Sequence, residues 1–354
     1  MSNREADFGE DYTVRPQQPP HSARPRKTTD DYLIGVICAL AVEKAAFTAM
    51  LDETHEALAT NKDDGNSYTF GRMGDHNIVA ACLPAGIIGN NSAVKVATDM
   101  MRSFSIQIGL MVGVGGGVWS PKFDIRLGDV VVSQPDGSHG GVVQWDFGKM
   151  ESGGFRRTGS LNKPPRPLLN AVQDIKIKHI TDENGLAEHL SKMLRTKPKM
   201  AQTFTYQGTE HDNLYQSSYS HVGGETCDGC EIGHTVKRQL RTTPDPQIHY
   251  GNIASGNEVM KDGITRDRIA KEEGVICFEM EAAGLMDSFP CLVIRGICDY
   301  ADSHKNKQWQ PYAAAMAAAF AKEILRFVKK QGVDELRLES NFCTLSLRYK
   351  RKVY

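Results

Sequence analysis

The chain has 354 residues, which is enough for one large α/β domain or two small ones. Its formal net charge of −1 gives no field that would attract nucleic acid or an anionic membrane, and no apolar run approaches the ~20 residues that span a bilayer. The eight cysteines are scattered, and most lie in apolar segments, which favours free thiols in a reducing compartment over a disulfide framework. We therefore expect a soluble, cytoplasmic protein without a secretory signal.

The two ends of the chain differ from its middle. Residues 1–30 are polar and rich in Pro and Arg, so we expect a disordered leader, and residues 333–354 form a charged tail. Residues 31–332 alternate between strand-like and helix-like segments, which indicates one α/β domain. Residues 195–245 interrupt this alternation with polar sequence of no clear period, and we interpret them as an insertion.

The first half of the domain predicts strands from apolar runs and helices from apolar residues three and four positions apart. In chain order these are a strand (33–40), a helix (42–51), a hairpin (68–83), a helix capped by Asn91 or Ser92, and strands at 108–114 and 129–133. Three glycines follow the strand at 108–114 and would let backbone N–H groups approach an oxygen-rich ligand. This run is neither a P-loop nor a dinucleotide fingerprint.

The second half predicts further elements around the insertion. An irregular Gly-rich loop is expected at 140–159, helices at 168–180, 186–194, 265–273 and 311–330, and a strand at 248–254. The insertion contains one Cys-x-x-Cys pair, Cys227 and Cys230, with His211, His221 and His234 nearby. A zinc clip is one interpretation, but a second ligand pair at defined spacing is missing. A surface insertion without metal is the alternative that we favour.

Two apolar strands, 275–278 and 291–297, are joined by a short helical segment at 282–288. We interpret this order as a βαβ unit with parallel strands, in which ligands lie beyond the carboxyl ends. Glu279 and Glu281 follow the first strand and Asp299 follows the second. The sequence therefore predicts three carboxylates on one edge of the sheet.

Each of these acids has a purely structural alternative, because carboxylates are common at helix starts. Two glutamates on either side of Met280 at the end of an apolar strand favour a site over a cap. Glu43 lies in the first turn of the helix at 42–51. It is either an acid that favours the helix N-terminus or a base pointing into the cleft, and spacing alone does not decide between these.

Six motifs between residues 32 and 332 together resemble the nucleoside phosphorylase superfamily. In order they are IGVICALAVE, GVGGGV, RLGDVVVS, IASG, FEMEAAG and VIRGICDYAD. The most similar branches are methylthioadenosine/adenosylhomocysteine nucleosidases and fungal purine nucleosidase-like domains, some fused to innate-immunity-type ATPase modules. The resemblance implies a three-layer α/β/α sandwich around a mixed, partly barrel-like sheet, and makes residues 31–332 the catalytic domain.

The resemblance also implies a role for each site residue. Asp299 faces N7 of the purine, Glu43 binds the attacking water, and Glu281 holds the ribose hydroxyls with Met280 under the sugar. The implied binding residues are completed by Glu279, Phe278, Val259, Met260, Val114, Gly115 and Gly116. A protonated Asp299 would neutralise the departing base, and burial would favour that form.

Two departures from the family pattern bear on the reaction. Val114 stands where phosphorolytic relatives have Ser or Thr, and no arginine follows the first strand, so we expect hydrolysis rather than phosphorolysis. Cys298 precedes the aspartate where a serine is frequent, and a thiol is the weaker donor. The predicted function is a purine nucleoside N-ribohydrolase for adenosine- or guanosine-type substrates. A phosphate-dependent phosphorylase and a non-catalytic nucleoside-sensing module are the alternatives.

The same resemblance implies how the protein assembles. Relatives form homodimers or larger homo-oligomers, and a neighbour's loop often closes the 5′ side of the site. We expect the loop at 140–159 to serve this purpose. We expect no metal and no organic cofactor, because the acids and water suffice for the reaction.

Overall fold

The computed structural model describes residues 27–336, and a sheet of ten strands forms their centre. These strands are β1 (Ile34–Cys38), β2 (Glu53–Thr54), β3 (Tyr68–Met73), β4 (His76–Cys82), β5 (Ile108–Gly117), β6 (Val130–Ser133), β7 (Val142–Gln144), β10 (Ile248–Ser255), β11 (Val275–Glu279) and β12 (Cys291–Asp299), while β8 (Gly148–Glu151) and β9 (Gly154–Arg157) form a separate hairpin. The α-helices are α1 (Ala41–Ala49), α2 (Asn90–Ser103), α3 (Arg166–Thr181), α4 (Leu186–Thr196), α5 (Gly263–Glu273), α6 (Ala282–Leu285) and α7 (Gln310–Leu325).

The sheet closes on itself at one end. Its order is β11-β10-β6-β12-β5-β1-β4-β3-β2, with β7 paired to β10. β11 also pairs antiparallel with β5, where Cys277 faces Gly117 and Phe278 faces Gly116. This second pairing joins β11, β10, β6, β12 and β5 into a barrel, while β1 to β4 continue as an open sheet. The predicted mixed, partly barrel-like sheet is therefore confirmed.

Helices cover both faces of the sheet because its strands are apolar on both sides. In β1, Ile34 and Val36 pack in a core cluster with residues of α1, α3, α4 and α7, whereas Ile37 packs in a second cluster with residues of α2 and α6. Alternate side chains of a strand point to opposite faces, so this division places one helical layer on each side. The predicted α/β/α sandwich is confirmed.

The predicted βαβ unit is wrong in its strand direction. β12 runs parallel to β5, whereas β11 runs antiparallel to β5 and pairs with β10 instead of β12. The connecting helix α6 has four residues, too few for a crossover between parallel neighbours, which takes about a dozen residues or more. The ends of β11 and β12 both border β5 because the barrel closes, and not because the two strands are parallel to each other.

Three further expectations need correction. The segment at 140–159 is not irregular, since it contains β7 and the exposed hairpin of β8 and β9. α2 begins at Asn90 after Gly89, whose φ of +95° lies in a region that favours glycine, so neither Asn91 nor Ser92 caps it. α7 ends at Leu325 rather than near residue 330. Most of the expected leader and tail, residues 1–26 and 337–354, lies outside the described residues.

The insertion is held by side chains instead of regular structure. Between α4 and β10 the chain forms only short 3-10 turns and one isolated bridge. Arg241 donates to both carboxylate oxygens of buried Asp129, and Arg238 pairs with Asp212 at 3.1 Å. Across residues 27–336, no helix combines the length and the apolar character needed to cross a membrane.

Candidate active site

A buried arginine on β12, Arg295, lies at the centre of the predicted carboxylates. Its Nη2 pairs with Glu279 and lies 3.4 Å from Glu281 Oε2, while its Nη1 lies 3.4 Å from the carbonyl oxygen of Val114. The side chain is 1 % exposed. The sequence analysis missed this residue, although a charge inside an otherwise apolar strand was the available signal.

Glu43 serves both the helix and the site. Its Oε2 accepts hydrogen bonds from the N–H groups of Ala39 (2.7 Å) and Leu40 (2.9 Å), and its Oε1 accepts one from Val114 (2.8 Å). Burial raises the pKa of the Glu43 carboxyl, although nearby Arg295 and the three N–H groups act in the opposite direction. The two interpretations from sequence are thus compatible, because the carboxylate that caps α1 also faces β5.

Glu279 and Glu281 are two residues apart and have different surroundings. Glu279 accepts hydrogen bonds from the N–H groups of Glu281 (3.1 Å) and Ala282 (3.0 Å) and holds Arg295, so its oxygens are fully engaged. Within residues 27–336, the contacts of the Glu281 carboxylate are both 3.4 Å long, one with the Gly89 N–H and one with Arg295. Burial raises the pKa of the Glu281 carboxyl well above its usual range, and the neighbouring carboxylates add to this effect against Arg295. Glu281 is the member of the pair that has bonding capacity left for a ligand.

Asp299 ends β12 in a constrained turn. Its Oδ1 accepts a hydrogen bond from the Ala301 N–H at 2.9 Å, and Ala301 has a φ of +51°, which is strained for a residue with a Cβ. Its Oδ2 lies 3.1 Å from the Lys305 ammonium and 3.1 Å from the Cys298 thiol. Burial alone would lower the pKa of Lys305, but Asp299 and Cys298 more than offset it and raise the pKa to about 12. Lys305 was not foreseen from the sequence, because its spacing from Asp299 fits no local motif.

The glycines of β5 make room for these side chains. A Cβ on Gly113 would lie 2.6 Å from Glu43 Oε1, and one on Gly116 would lie 2.7 Å from Asp299 Oδ1. Gly115 is similarly confined by Cys277 and the Cβ of Arg295. Gly115 and Gly116 were expected from the sequence to admit a ligand to the backbone. In the structure the absence of a Cβ at both positions also makes room for Asp299 and Arg295.

An apolar cluster lies beside Asp299. Phe278 and Met260 are buried in it together with Ala301, and Trp145 packs edge-on to Phe278 with the ring centroids 6.4 Å apart. Val259, which was expected to contact the base, is 43 % exposed and lies outside this cluster. Met280 is half-buried between the two glutamates. Trp145 is an aromatic neighbour that the sequence had assigned only to a loop.

Glu43 and Asp299 both contact strand β5. Glu43 binds Val114 and Asp299 pairs with Gly116, two residues or roughly 7 Å farther along β5. Both carboxyls are nearly inaccessible, at 2 % and 4 % exposure, so a substrate can enter only if covering groups such as Lys305 move. A cleft of about 420 Å³ lies elsewhere, lined by residues that include Arg238, Arg241 and Tyr312, and its charges are already paired within the protein.

Comparison with known proteins adds sequence relatives and structural neighbours. No family model matches this chain. A nucleotide-binding leucine-rich repeat-like protein of Hyaloscypha variabilis is 46 % identical over 317 residues, which cover 89 % of this chain and 31 % of that protein. A 5′-methylthioadenosine/S-adenosylhomocysteine nucleosidase of Mycobacterium bovis is 26 % identical over 301 residues, covering 83 % of this chain and 96 % of that enzyme. An ATP nucleosidase of Escherichia coli, Cap17, is 23 % identical over 82 % of this chain and 50 % of that protein.

The fold agrees with these relatives. The 5′-methylthioadenosine/S-adenosylhomocysteine nucleosidase of Helicobacter pylori superposes with a TM-score of 0.52 at 17 % identity, over 84 % of this chain and 98 % of that one. The chain has the fold of the nucleoside phosphorylase superfamily. The resemblance that the six motifs predicted is confirmed at this level. The chain spans less than a third of the leucine-rich repeat-like relative, 31 % of its length.

Proposed function

We propose that this chain is a purine nucleoside N-ribohydrolase that releases a free base and ribose. The observation that carries the proposal is the position of Glu43. Three backbone N–H groups hold its carboxylate on β5, beside Arg295 and two residues along the strand from the partner of Asp299. We assign the base for water to Glu43 and the acid for the leaving group to Asp299, which both contact β5.

The proposed reaction needs two proton transfers. The C1′–N9 bond breaks with its electron pair going to the purine, and Asp299 delivers a proton to N7 of the leaving base. A water molecule held by Glu43 attacks C1′, and its proton passes to the Glu43 carboxylate. General acid–base help of this kind contributes about 10²–10⁴-fold for each group. The structure pairs Asp299 as a carboxylate with the Lys305 ammonium, not as the protonated acid that the sequence predicted. This ion pair therefore has to open, and Asp299 has to take up a proton from solvent, before the acid can face N7 in place of the ammonium.

Glu281 fits the role of the ribose clamp. Its two contacts, with the Gly89 N–H and with Arg295, are both 3.4 Å long, so the sugar hydroxyls can replace them at little cost. Glu279, by contrast, keeps Arg295 and the start of α6 in place. We assign Glu281 to substrate binding and Glu279 to positioning, which refines the sequence assignment of both to the substrate.

Local charge favours water over phosphate as the nucleophile. Glu43, Glu279 and Glu281 surround a single guanidinium, that of Arg295, so the cluster carries a net negative charge when they are ionised. The Val114 N–H, which an anion would need, is already bonded to Glu43. Negative charge repels phosphate and stabilises the cationic ribose of the transition state.

The substrate class follows from the relatives and is tested on a panel. Purified chain is incubated with adenosine, guanosine, inosine, 5′-methylthioadenosine, S-adenosylhomocysteine and ATP, each with and without phosphate, and the products are separated by chromatography. We expect free base and a reducing sugar at the same rate in both buffers for at least one adenine or guanine compound. Ribose 1-phosphate formed only with phosphate would replace this proposal with a phosphorylase.

Binding measurements separate the proposal from a sensing module. Isothermal titration of the same panel gives the affinity of each compound, and the Asp299→Asn variant is the control for turnover during the titration. Micromolar binding to the wild-type chain with no release of base over hours would favour a non-catalytic nucleoside sensor. Release of base by the wild-type chain and its loss in the variant support the hydrolase.

A further inference from the structure

Three potential metal ligands meet in the insertion, away from the carboxylates of the site. His221, Cys227 and Cys230 each offer one ligand atom, and these atoms all lie within 4.8 Å of one another. Both cysteines are free thiols, and Cys230 is buried. Tetrahedral zinc with Zn–S near 2.3 Å and Zn–N near 2.0 Å would place its ligand atoms roughly 3.5–3.8 Å apart. Side-chain adjustments of about 1 Å would therefore close the group around an ion.

The tautomer of His221 suits a metal ligand. Its Nε2 lies 2.9 Å from the carbonyl oxygen of Thr226, which can only accept, so Nε2 carries the proton and Nδ1 keeps its lone pair. Metal-bound histidines commonly donate their second N–H to a backbone carbonyl in this way. The Gly223 N–H now points at Nδ1 from 3.1 Å, and an ion would take its place.

His304 lies outside this group of three, and its ring would have to move towards the group to supply the fourth ligand. It is 8 % exposed, and neither ring nitrogen has a hydrogen-bond partner among residues 27–336. Its ring is perpendicular to that of His221, with the centroids 5.6 Å apart, and two imidazoles on one tetrahedral ion have centroids roughly 5–6 Å apart. A carboxylate oxygen of Asp302 lies 3.5 Å from His304 Nδ1, where it would orient a ring that binds through Nε2. Without an ion, the buried Nε2 of His304 has no partner among residues 27–336, which is costly.

The cluster is joined to the loop that follows Asp299. The His221 N–H donates to Ser303 Oγ at 2.9 Å, the Cys227 thiol lies 3.6 Å from the His304 carbonyl oxygen, and the Asn306 amide lies 3.9 Å from the Cys227 sulfur. Lys305, which pairs with Asp299, lies between His304 and Asn306 in the chain. An ion in this cluster would fix the loop that carries Lys305.

We propose that His221, Cys227, Cys230 and His304 bind one structural zinc ion that fastens the insertion to the loop at 302–306. Both thiols lose their protons to solvent when Zn²⁺ binds, so the ion replaces two S–H bonds with two zinc–thiolate bonds. The site is closed, with four protein ligands and no position for water, and is therefore structural rather than catalytic. None of the contacts that support this site belongs to the proposed hydrolase mechanism.

Metal analysis of the full chain tests the proposal. The protein is purified without chelator, incubated with zinc sulfate, desalted, and measured by plasma mass spectrometry. We expect about one zinc per chain in the wild-type protein, less than a tenth of that in a Cys227→Ser/Cys230→Ser double variant, and no change in the control Cys82→Ser, a half-buried cysteine on β4 outside the insertion. A folded wild-type chain without zinc, or a double variant that retains it, would overturn the proposal.

The ligand set is tested on the wild-type protein, so the result does not depend on a variant that folds. X-ray absorption at the zinc edge should show two sulfur ligands near 2.3 Å and two nitrogen ligands near 2.0 Å. A shell of oxygen ligands alone would indicate adventitious binding and contradict the site. His304→Ala should lower the affinity for zinc at least tenfold in competition with a chelator. Unchanged affinity would show that His304 is not a zinc ligand.

Limited proteolysis tests whether the ion holds the insertion against the loop at 302–306. Chelation of the wild-type chain should expose residues between α4 and β10 to cleavage at least tenfold faster, while the rest of the fold stays intact by circular dichroism. Zinc added back should restore protection in the wild-type chain but not in the double variant. Equal cleavage rates with and without zinc would show that the ion does not hold the insertion.

Discussion

The carboxylate cluster around Arg295 and the insertion between α4 and β10 are both buried in part, but different forces hold them. In the cluster, Glu279 and Arg295 lie on β11 and β12, and the register of the barrel determines where each points. In the insertion, residues far apart in sequence are joined by single side-chain pairs, such as Arg241 with Asp129. A substitution of Asp299 or Glu281 in the first region should therefore change chemistry, whereas one in the second region should change stability.

The largest expected effect is on catalysis at the cluster. Asp299→Asn keeps the size of the side chain and its acceptor for the Ala301 N–H but cannot deliver a proton to N7. We expect kcat to fall about 10²–10⁴-fold with little change in KM, since general acid catalysis is worth that factor. Asp287→Asn, at an exposed position, is the control. A decrease in kcat of less than tenfold would show that Asp299 is not the acid that protonates N7.

The insertion should respond in stability instead. Arg241→Met leaves Asp129, 1 % exposed, with His249 and the N–H groups of Arg126 and Gln247 as its partners among residues 27–336. We expect the free energy of unfolding to decrease by about 2–4 kcal/mol, because a buried carboxylate loses its ion pair. Arg195→Met, on the exposed side of α4, should stay within about 0.5 kcal/mol of the wild type. Denaturant titration at neutral pH measures both.

The pH dependence of this stability has a defined sign. Burial would raise the pKa of Asp129, but its hydrogen bonds with Arg241 and His249 outweigh burial and hold the pKa below its usual range. The stabilisation is therefore present above the unfolded pKa of about 3.9 and is lost as the pH falls through the folded value. The difference between wild type and Arg241→Met should shrink in strong acid. A difference that grows below pH 4 would contradict the ion pair.

Within the cluster, Glu279 and Glu281 should respond in opposite directions. Glu279→Gln weakens the partner of Arg295 and should lower the free energy of unfolding by about 1–3 kcal/mol. The folded pKa of Glu281 is raised, so its contribution to stability is lost as the pH rises through the folded value. Glu281→Gln should therefore be neutral or stabilising by up to about 1 kcal/mol at pH 8, while KM rises because the ribose clamp is weakened. Thermal melts and kinetics of the two variants check this. Equal destabilisation by both would contradict the assignment of Glu279 to positioning Arg295 and of Glu281 to substrate binding.

The smallest expected effect concerns the thiol beside Asp299. Cys298 Sγ lies 3.1 Å from Asp299 Oδ2, and a serine hydroxyl is a stronger donor than a thiol. Cys298→Ser should change kcat by less than about tenfold, the size of one modest hydrogen bond. Steady-state kinetics measure it, with Cys82→Ser as a thiol control. A loss of more than a hundredfold would mean that the thiol itself takes part in the reaction.

The sequence was informative where the local pattern determines the position of a residue. Glu281 and Asp299 were expected at the sheet edge because each follows an apolar strand, whereas the role of Glu43 was implied by the family resemblance alone. In the structure all three lie at β5 or at Arg295. The direction of β11 was not predictable, because barrel closure depends on its pairing with β5, more than 150 residues earlier. Arg295 was overlooked since its partners come from other segments of the chain.

The insertion shows more clearly which contacts a single sequence does not predict. No period in residues 195–245 predicts which side chains meet, since His221 contacts Ser303 and Arg238 contacts Tyr300 across more than 60 residues. The Cys-x-x-Cys pair was visible, but His304 lies over 70 residues away and joins the group only in the folded chain. Long-range pairs of this kind have no signature in a single sequence.

Isotope labelling tests the central claim most directly. The wild-type chain is incubated with its best substrate in H₂¹⁸O containing phosphate, and the sugar product is analysed by mass spectrometry before exchange at C1′ is complete. Because Glu43 aims water at C1′, we predict free ribose that carries ¹⁸O from the solvent, with no ribose 1-phosphate. Ribose 1-phosphate without solvent oxygen at C1′ would contradict hydrolysis and assign the nucleophile to phosphate.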